Sequence, residues 1–130
     1  AELSTATVYA EADRLGLSRT SGELEERLLA LRKALELGAP IQAASELLHN
    51  DLQPAAVSLC PAIAPALEQA RESGAEEVLV SGSGPTVLGL FPRANGFGRA
   101  QRAAAGLEGR LPTPICATPI DATFARATSI

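Results

Sequence analysis

The sequence predicts an α+β domain, a small antiparallel sheet covered on one face by helices. Two observations lead there. Up to Gly74 the apolar residues recur mostly at spacings of three and four, the period of helices with one buried face. Two short apolar runs then flank a glycine-bearing bend, with Val78, Leu79 and Val80 before it and Val87, Leu88, Leu90 and Phe91 after it, which is the pattern of a β-hairpin. At 130 residues the chain fits one domain and can bury roughly two thirds of the surface that it exposes when unfolded.

Taken in order, residues 1–4 are a lead in which Leu3 could end a strand. Ser4 or Thr5 is placed to cap the first helix. Val8, Ala12 and Leu15 share a face of that helix, with Glu11, Asp13 and Arg14 off it, and Gly16 ends it. Tyr9, the sole Tyr, lies beside this stripe and suits either of two roles, a cover for the core or a ring face offered to a flat ligand; packing is the commoner habit of Tyr. Ser21 is placed to cap the next helix, where Glu23, Glu25 and Glu26 favour the positive end of the dipole. The spacing of Leu24, Leu28, Leu31 and Leu35 predicts that this helix is packed. Gly38 stops it, and Pro40 opens a shorter helix through Leu47 and Leu48.

Asn50 and Asp51 read as a turn or an N-cap pair before the segment from Pro54 to Leu59. A helix from Pro61 to Ser73 follows, with Ile63, Leu67 and Ala70 on one face and Gly74 at its end. Beyond the hairpin, Asn95 is placed to cap a helix whose Phe97, Ala100, Ala104 and Leu107 keep the helical period and which Gly109 closes. Ile115, Ala117 and Ile120 suggest a last strand.

Composition excludes several classes of function. A formal charge of −4, with scattered Arg and the single Lys33, argues against nucleic acid as a partner. No apolar run nears the roughly 20 residues of a membrane span, and no signal peptide opens the chain. Cys60 and Cys116 are too few for a disulfide framework, which makes the cytoplasm the expected compartment. With His49 the sole His and no CxxC pair, a zinc site is excluded, and no metal ligand is assigned. Met is absent even at position 1, so the chain is expected to be an excised piece of something longer.

The bend Ser81-Gly82-Ser83-Gly84-Pro85-Thr86 is where chemistry can be argued. Gly82 and Gly84 can take positive φ and present bare N–H groups, and Ser81, Ser83 and Thr86 add hydroxyls, a combination suited to an oxyanion or phosphate. Glycines that serve turn geometry alone explain the composition equally well. No helix opens directly after the bend and it holds no Lys, which argues against Rossmann and P-loop readings.

Three stretches in order, LSTATVY, HNDLQPAAVSLCP and VSGSGPTVLGLF, carry a resemblance over most of the chain. They resemble the C-terminal part of the galactokinase, homoserine kinase, mevalonate kinase and phosphomevalonate kinase superfamily, in its branch that acts on a cytidine diphosphate-linked methylerythritol. The resemblance implies a ferredoxin-like domain and transfer of the γ-phosphoryl group of ATP, with Mg²⁺, to the 2-hydroxyl of that sugar alcohol in isoprenoid precursor synthesis. It also implies that the nucleotide loop and the catalytic Asp and Lys lie in an N-terminal domain. That domain would be the chain's partner and would hold most of the ATP and Mg²⁺, so no catalytic residue is assigned here.

On the same resemblance, Ser81, Gly82, Ser83, Gly84 and Thr86 match the family's third glycine motif, which lies against the nucleotide. Thr5 matches a Thr bordering the substrate pocket and Tyr9 an aromatic ring stacked on cytosine; Ala6 stands where relatives often carry Pro. Asn50-Asp51-Leu52 is given a structural role. Three alternatives stand beside this reading: the C-terminal domain of another kinase of the superfamily, a small-molecule-binding regulatory module, and a dimerisation domain exposing the Leu24–Leu35 stripe.

Overall fold

The first helix ends where its sequence says it should. In the computed structural model, which describes residues 3–37, 46–112 and 114–118, helix α1 spans Thr5–Arg14. Gly16 follows at φ +69, its N–H donating to the Asp13 carbonyl and that of Leu17 to Ala12. This pair of bonds closes orphan carbonyls in a way that favours a residue without Cβ at the left-handed position. Ser4 is extended at the N-cap but its side chain makes no capping bond, contrary to expectation. Leu15 is exposed while Leu17 folds back against the core.

Helix α2, Ser21–Glu36, is capped by Thr20 rather than by Ser21. The Thr20 hydroxyl accepts from the Glu23 N–H, and the Glu23 carboxylate accepts in return from the Thr20 N–H at 2.8 Å and from the Thr20 hydroxyl. This is a reciprocal capping box. The expectation of a packed stripe fails: Leu24 and Leu28 are 51% and 57% exposed, and Leu31 is half-buried. Periodicity shows that a helix has an apolar side, but not what that side meets. The burial of Leu35 and the helix expected from Pro40 fall largely outside the described residues, with residues 46–47 in a single 3₁₀ turn.

Helix α3, Gln53–Leu59, and helix α4, Ile63–Glu72, lead into strand β1, Glu77–Val80, and strand β2, Val87–Leu90. Gly74, at φ +96, closes α4 as Gly16 closes α1, with Gly74 donating to the Arg71 carbonyl and Ala75 to Ala70. The strands pair antiparallel from Glu77 opposite Leu90 to Val80 opposite Val87, and α4 packs against both. Among the described residues this hairpin is the only sheet, so with its helices the domain is α+β.

The core joins Val8 and Ala12 of α1, Ala55 and Ala56 of α3, Cys60, Ile63 and Leu67 around α4, and Val80 of β1. Its alanines allow α1 and α3 to approach closely.

Helix α5, Gly96–Leu107, is pinned by Arg99, which pairs with Glu76, donates to the Gly74 carbonyl at 3.0 Å and lies over the Phe91 ring. Asn95 precedes it in the left-handed region, φ +55, and makes no side-chain capping bond. Ala103, off the expected stripe, is the buried residue of α5, while Phe97 is exposed. The last expected strand is not formed where described: residues 114–118 are irregular and Ile115 is exposed. Pro112 and Pro114 remove ladder donors beside it. Ile120 lies outside the described residues.

Candidate functional site

Within the hairpin bend the two glycines differ. The Ser81 N–H donates to the Thr86 carbonyl at 2.8 Å and the Gly84 N–H to the Ser81 carbonyl at 2.9 Å, and the Gly84–Pro85 peptide is cis. Gly84 is therefore not a bare donor, which corrects half of the sequence expectation. Its φ is +79, and a Cβ there would lie 3.1 Å from Val80 Cγ1 and 3.5 Å from both the Ala56 Cβ and Leu3 Cδ1. Packing and backbone conformation both favour glycine at this position. Gly82 needs glycine for its φ of +56 alone, since a Cβ would meet open space. Among the described residues the N–H groups of Gly82 and Ser83 make no hydrogen bond within the chain. Ser81, Gly82 and Thr86 are exposed, and Ser83 is half-buried.

The structure brings the start of α1 against this bend. Thr5 Oγ1 lies 3.0 Å from Ser83 Oγ across a sequence separation of 78, and either hydroxyl can donate. Tyr9 stands one turn further along the same face of α1 and is 56% exposed, so it does not serve as a cover for the core. The first turn of α1, where helix N–H groups lack intrahelical partners, thus adjoins the hydroxyls and free N–H groups of the hairpin. Neutral donors of this kind can orient an anion.

Two carboxylates on the neighbouring elements, those of Glu11 and Asp51, are already engaged. The Arg14 guanidinium, and after it the Ser58 hydroxyl, hold the Glu11 carboxyl down from 4.5 to about 2. Arg19 Nε bonds both oxygens of Asp51, at 2.8 and 2.7 Å, and holds that carboxyl below its ordinary value, while His49 Nε2 lies 3.0 Å from Asp51. Among the described residues no group of three or more His, Cys, Asp or Glu could hold a metal ion. Lys33 is exposed on α2. Within the described residues the junction has the means to bind and orient.

Two residues support the bend: Asn50, for which the sequence suggests a turn or an N-cap, and Gln53, to which it assigns no role. Asn50 Nδ2 donates to the carbonyls of Val80 at 2.8 Å and Gly82 at 2.7 Å, while its Oδ1 accepts from the Leu52 N–H. Gln53 Oε1 accepts from the Val80 N–H at 2.9 Å. The HNDLQ stretch offered the side-chain amides, but nothing local indicates partners about 30 residues away.

Comparison with known proteins places these features in a wider set. A family model described as GHMP kinases C terminal matches residues 26–110. Over 94 residues the chain is 50% identical to a 4-diphosphocytidyl-2-C-methyl-D-erythritol kinase of Mycolicibacterium gilvum, covering 71% of this chain and 29% of that protein. It is 44% identical to the Streptomyces avermitilis protein of the same name over 96 residues, 72% of this chain and 31% of that one. With the Corynebacterium diphtheriae protein of that name the identity is 38% over 118 residues, 91% of this chain and 35% of that one. The chain thus spans about a third of the length of these relatives.

Proposed function

This chain belongs to the GHMP kinase C-terminal family, and on that premise we propose that it is the substrate-side domain of a kinase that phosphorylates the 2-hydroxyl of 4-diphosphocytidyl-2-C-methyl-D-erythritol. The observation that carries the proposal is the 3.0 Å approach of the Thr5 and Ser83 hydroxyls, which sets the helix bearing the exposed Tyr9 ring beside the glycine hairpin. Phosphoryl transfer depends on positioning and charge stabilisation more than on covalent chemistry, so a domain of neutral donors and one exposed ring has a part to play.

The N–H groups of Gly82 and Ser83, with the hydroxyls of Ser81, Ser83 and Thr86, fit phosphate oxygens of ATP, which when bound supplies the phosphoryl group. The described residues do not fit Mg²⁺, since hard divalent ions want clustered carboxylates and none are grouped here. In this reading the metal, the catalytic acid–base groups and most ATP contacts belong to an N-terminal domain. Thr5 orders the first turn of α1 against the hairpin, and Tyr9 receives the cytosine ring. In this reading the compartment is the cytoplasm, which the free thiols of Cys60 and Cys116 support; no described helix is long and apolar enough to cross a membrane.

The test joins this chain to the first two thirds of the M. gilvum relative and compares Tyr9→Ala with the unsubstituted chimera. The expected outcome is a KM for the cytidylyl substrate raised roughly tenfold, with that for ATP nearly unchanged. Equal effects on both constants would count against stacking. The exposed Leu24 and Leu28 of α2 favour a second reading, an association face, which sedimentation of the chain as a monomer would remove.

A further inference from the structure

Val80 stands opposite Val87, one position before the hydrogen bond from Ser81 to Thr86. In an antiparallel ladder the bonded and non-bonded pairs alternate, so the N–H and C=O of Val80 face away from β2, toward the open edge of the sheet. Val80 is fully buried, and a buried main-chain group without a partner costs about as much as a lost hydrogen bond. Two side-chain amides from the turn before α3 and its first residue meet these groups. Gln53 Oε1 takes the Val80 N–H and Asn50 Nδ2 takes the Val80 carbonyl, so together they act as a peptide unit of a neighbouring strand would. Asn50 then extends past the strand end and holds the Gly82 carbonyl with its second amide hydrogen.

The orientation of the Asn50 amide is fixed by chemistry. Its nitrogen meets two carbonyls and its oxygen meets the Leu52 N–H, so a flipped amide would lose all three bonds. The peptide between Gly82 and Ser83 is therefore tied through the Gly82 carbonyl to the leading turn of α3, which packs against both α1 and β1.

We propose that Asn50 is a positioning residue, assisted by Gln53, that sets the direction of the Ser83 N–H group toward the nucleotide phosphates. This inference rests on the kinase reading given above. Neither side chain touches the reacting groups in it; Asn50 acts through the Gly82 carbonyl, which belongs to the same peptide plane as the Ser83 N–H.

The experiment uses Asn50→Asp and Asn50→Ala, together with Gly84→Val. Asp keeps the oxygen that accepts from Leu52 but sets a carboxylate against two carbonyls; Ala removes both functions. In this chain, amide hydrogen exchange at Ser81 and Gly84 should accelerate roughly tenfold in Asn50→Asp while the α4 amides stay unchanged. Unchanged exchange at the hairpin overturns the proposal, and accelerated α4 exchange shows global loosening and overturns it too. In the chimera, Asn50→Asp should lower kcat/KM for ATP by roughly tenfold and that for the cytidylyl substrate by much less. If Gly84→Val lowers turnover while Asn50→Asp does not, the positioning role fails and the kinase reading stands. If Gly84→Val also leaves turnover unchanged, the hairpin has no part in the site and both fail together.

Discussion

Gly82 and Gly84 sit two positions apart in one bend, yet substituting them should have unequal effects. Each has positive φ, which for an L-residue costs about 1–2 kcal/mol. Only Gly84 adds a steric conflict, with the new Cβ 3.1 Å from Val80 Cγ1 inside the core. Gly84→Ala is therefore expected to destabilise the chain by about 1 kcal/mol more than Gly82→Ala, and urea unfolding of the two variants would measure the gap. Equal losses would mean that Val80 gives way. Tyr9→Ala should cost less than about 0.5 kcal/mol, because its ring is exposed and supports no core neighbour. Glu11 carries an acid-sensitive contribution. Its carboxyl is held down from 4.5 to about 2 by Arg14 and then Ser58, so the folded state gains stability from it above about 4.5 and loses that gain as pH falls toward 2. Glu11→Gln should flatten the stability profile within that window and nowhere else. A profile identical to that of the unsubstituted chain would show that the pair is screened by solvent.

Elements were legible in proportion to how local their causes are. Gly16 and Gly74 end their helices by bonds to residues three and five positions back, and those ends can be read from the sequence. The two apolar runs around the bend pair in the expected order for the same reason. The N-cap of α2 is Thr20 and not the expected Ser21, although the Thr20-x-x-Glu23 spacing of a capping box, which Ser21 lacks, is present in the sequence. Thr20→Ala should cost roughly 1 kcal/mol, seen as faster amide exchange in the first turn of α2, whereas Ser21→Ala should cost little. The packed reading of Leu24 and Leu28 failed because their spacing carries no information about a partner surface. The roles of Asn50 and Gln53 were hidden by distance, since their partners at Val80 and Gly82 come close only once α3 has docked on β1. Asp51 links the same turn to the chain around Arg19. Its carboxyl is depressed chiefly by Arg19, so this tie is present above the ordinary carboxyl range and is lost as pH falls through the lowered value. Asp51→Asn should remove that acid transition and loosen the segment at neutral pH.

At the scale of the whole molecule the question is what this chain can do by itself. Its hairpin offers uncharged N–H and hydroxyl donors, and the chain carries a net charge of −4, so nothing described here counters the charge of a polyphosphate. Hydrogen bonds exchanged with water contribute only about 0.5–1.5 kcal/mol each, and three or four of them hardly offset the freedom a nucleotide loses on binding. The chain in isolation should therefore bind ATP with a Kd no tighter than about 1 mM, equivalent to about −4 kcal/mol, and should transfer no phosphate. Joined to the first two thirds of a relative, the same hairpin should support turnover, because donors that are weak alone gain strength in a site closed to water and next to cations. Calorimetry on the isolated chain and a coupled assay on the chimera separate the possibilities. Weak binding alone and turnover when joined fit a domain that completes a site. A Kd below about 10 μM for a nucleotide or amino acid with the isolated chain would instead mark a ligand-binding regulatory module, since affinity of that order needs a self-sufficient pocket.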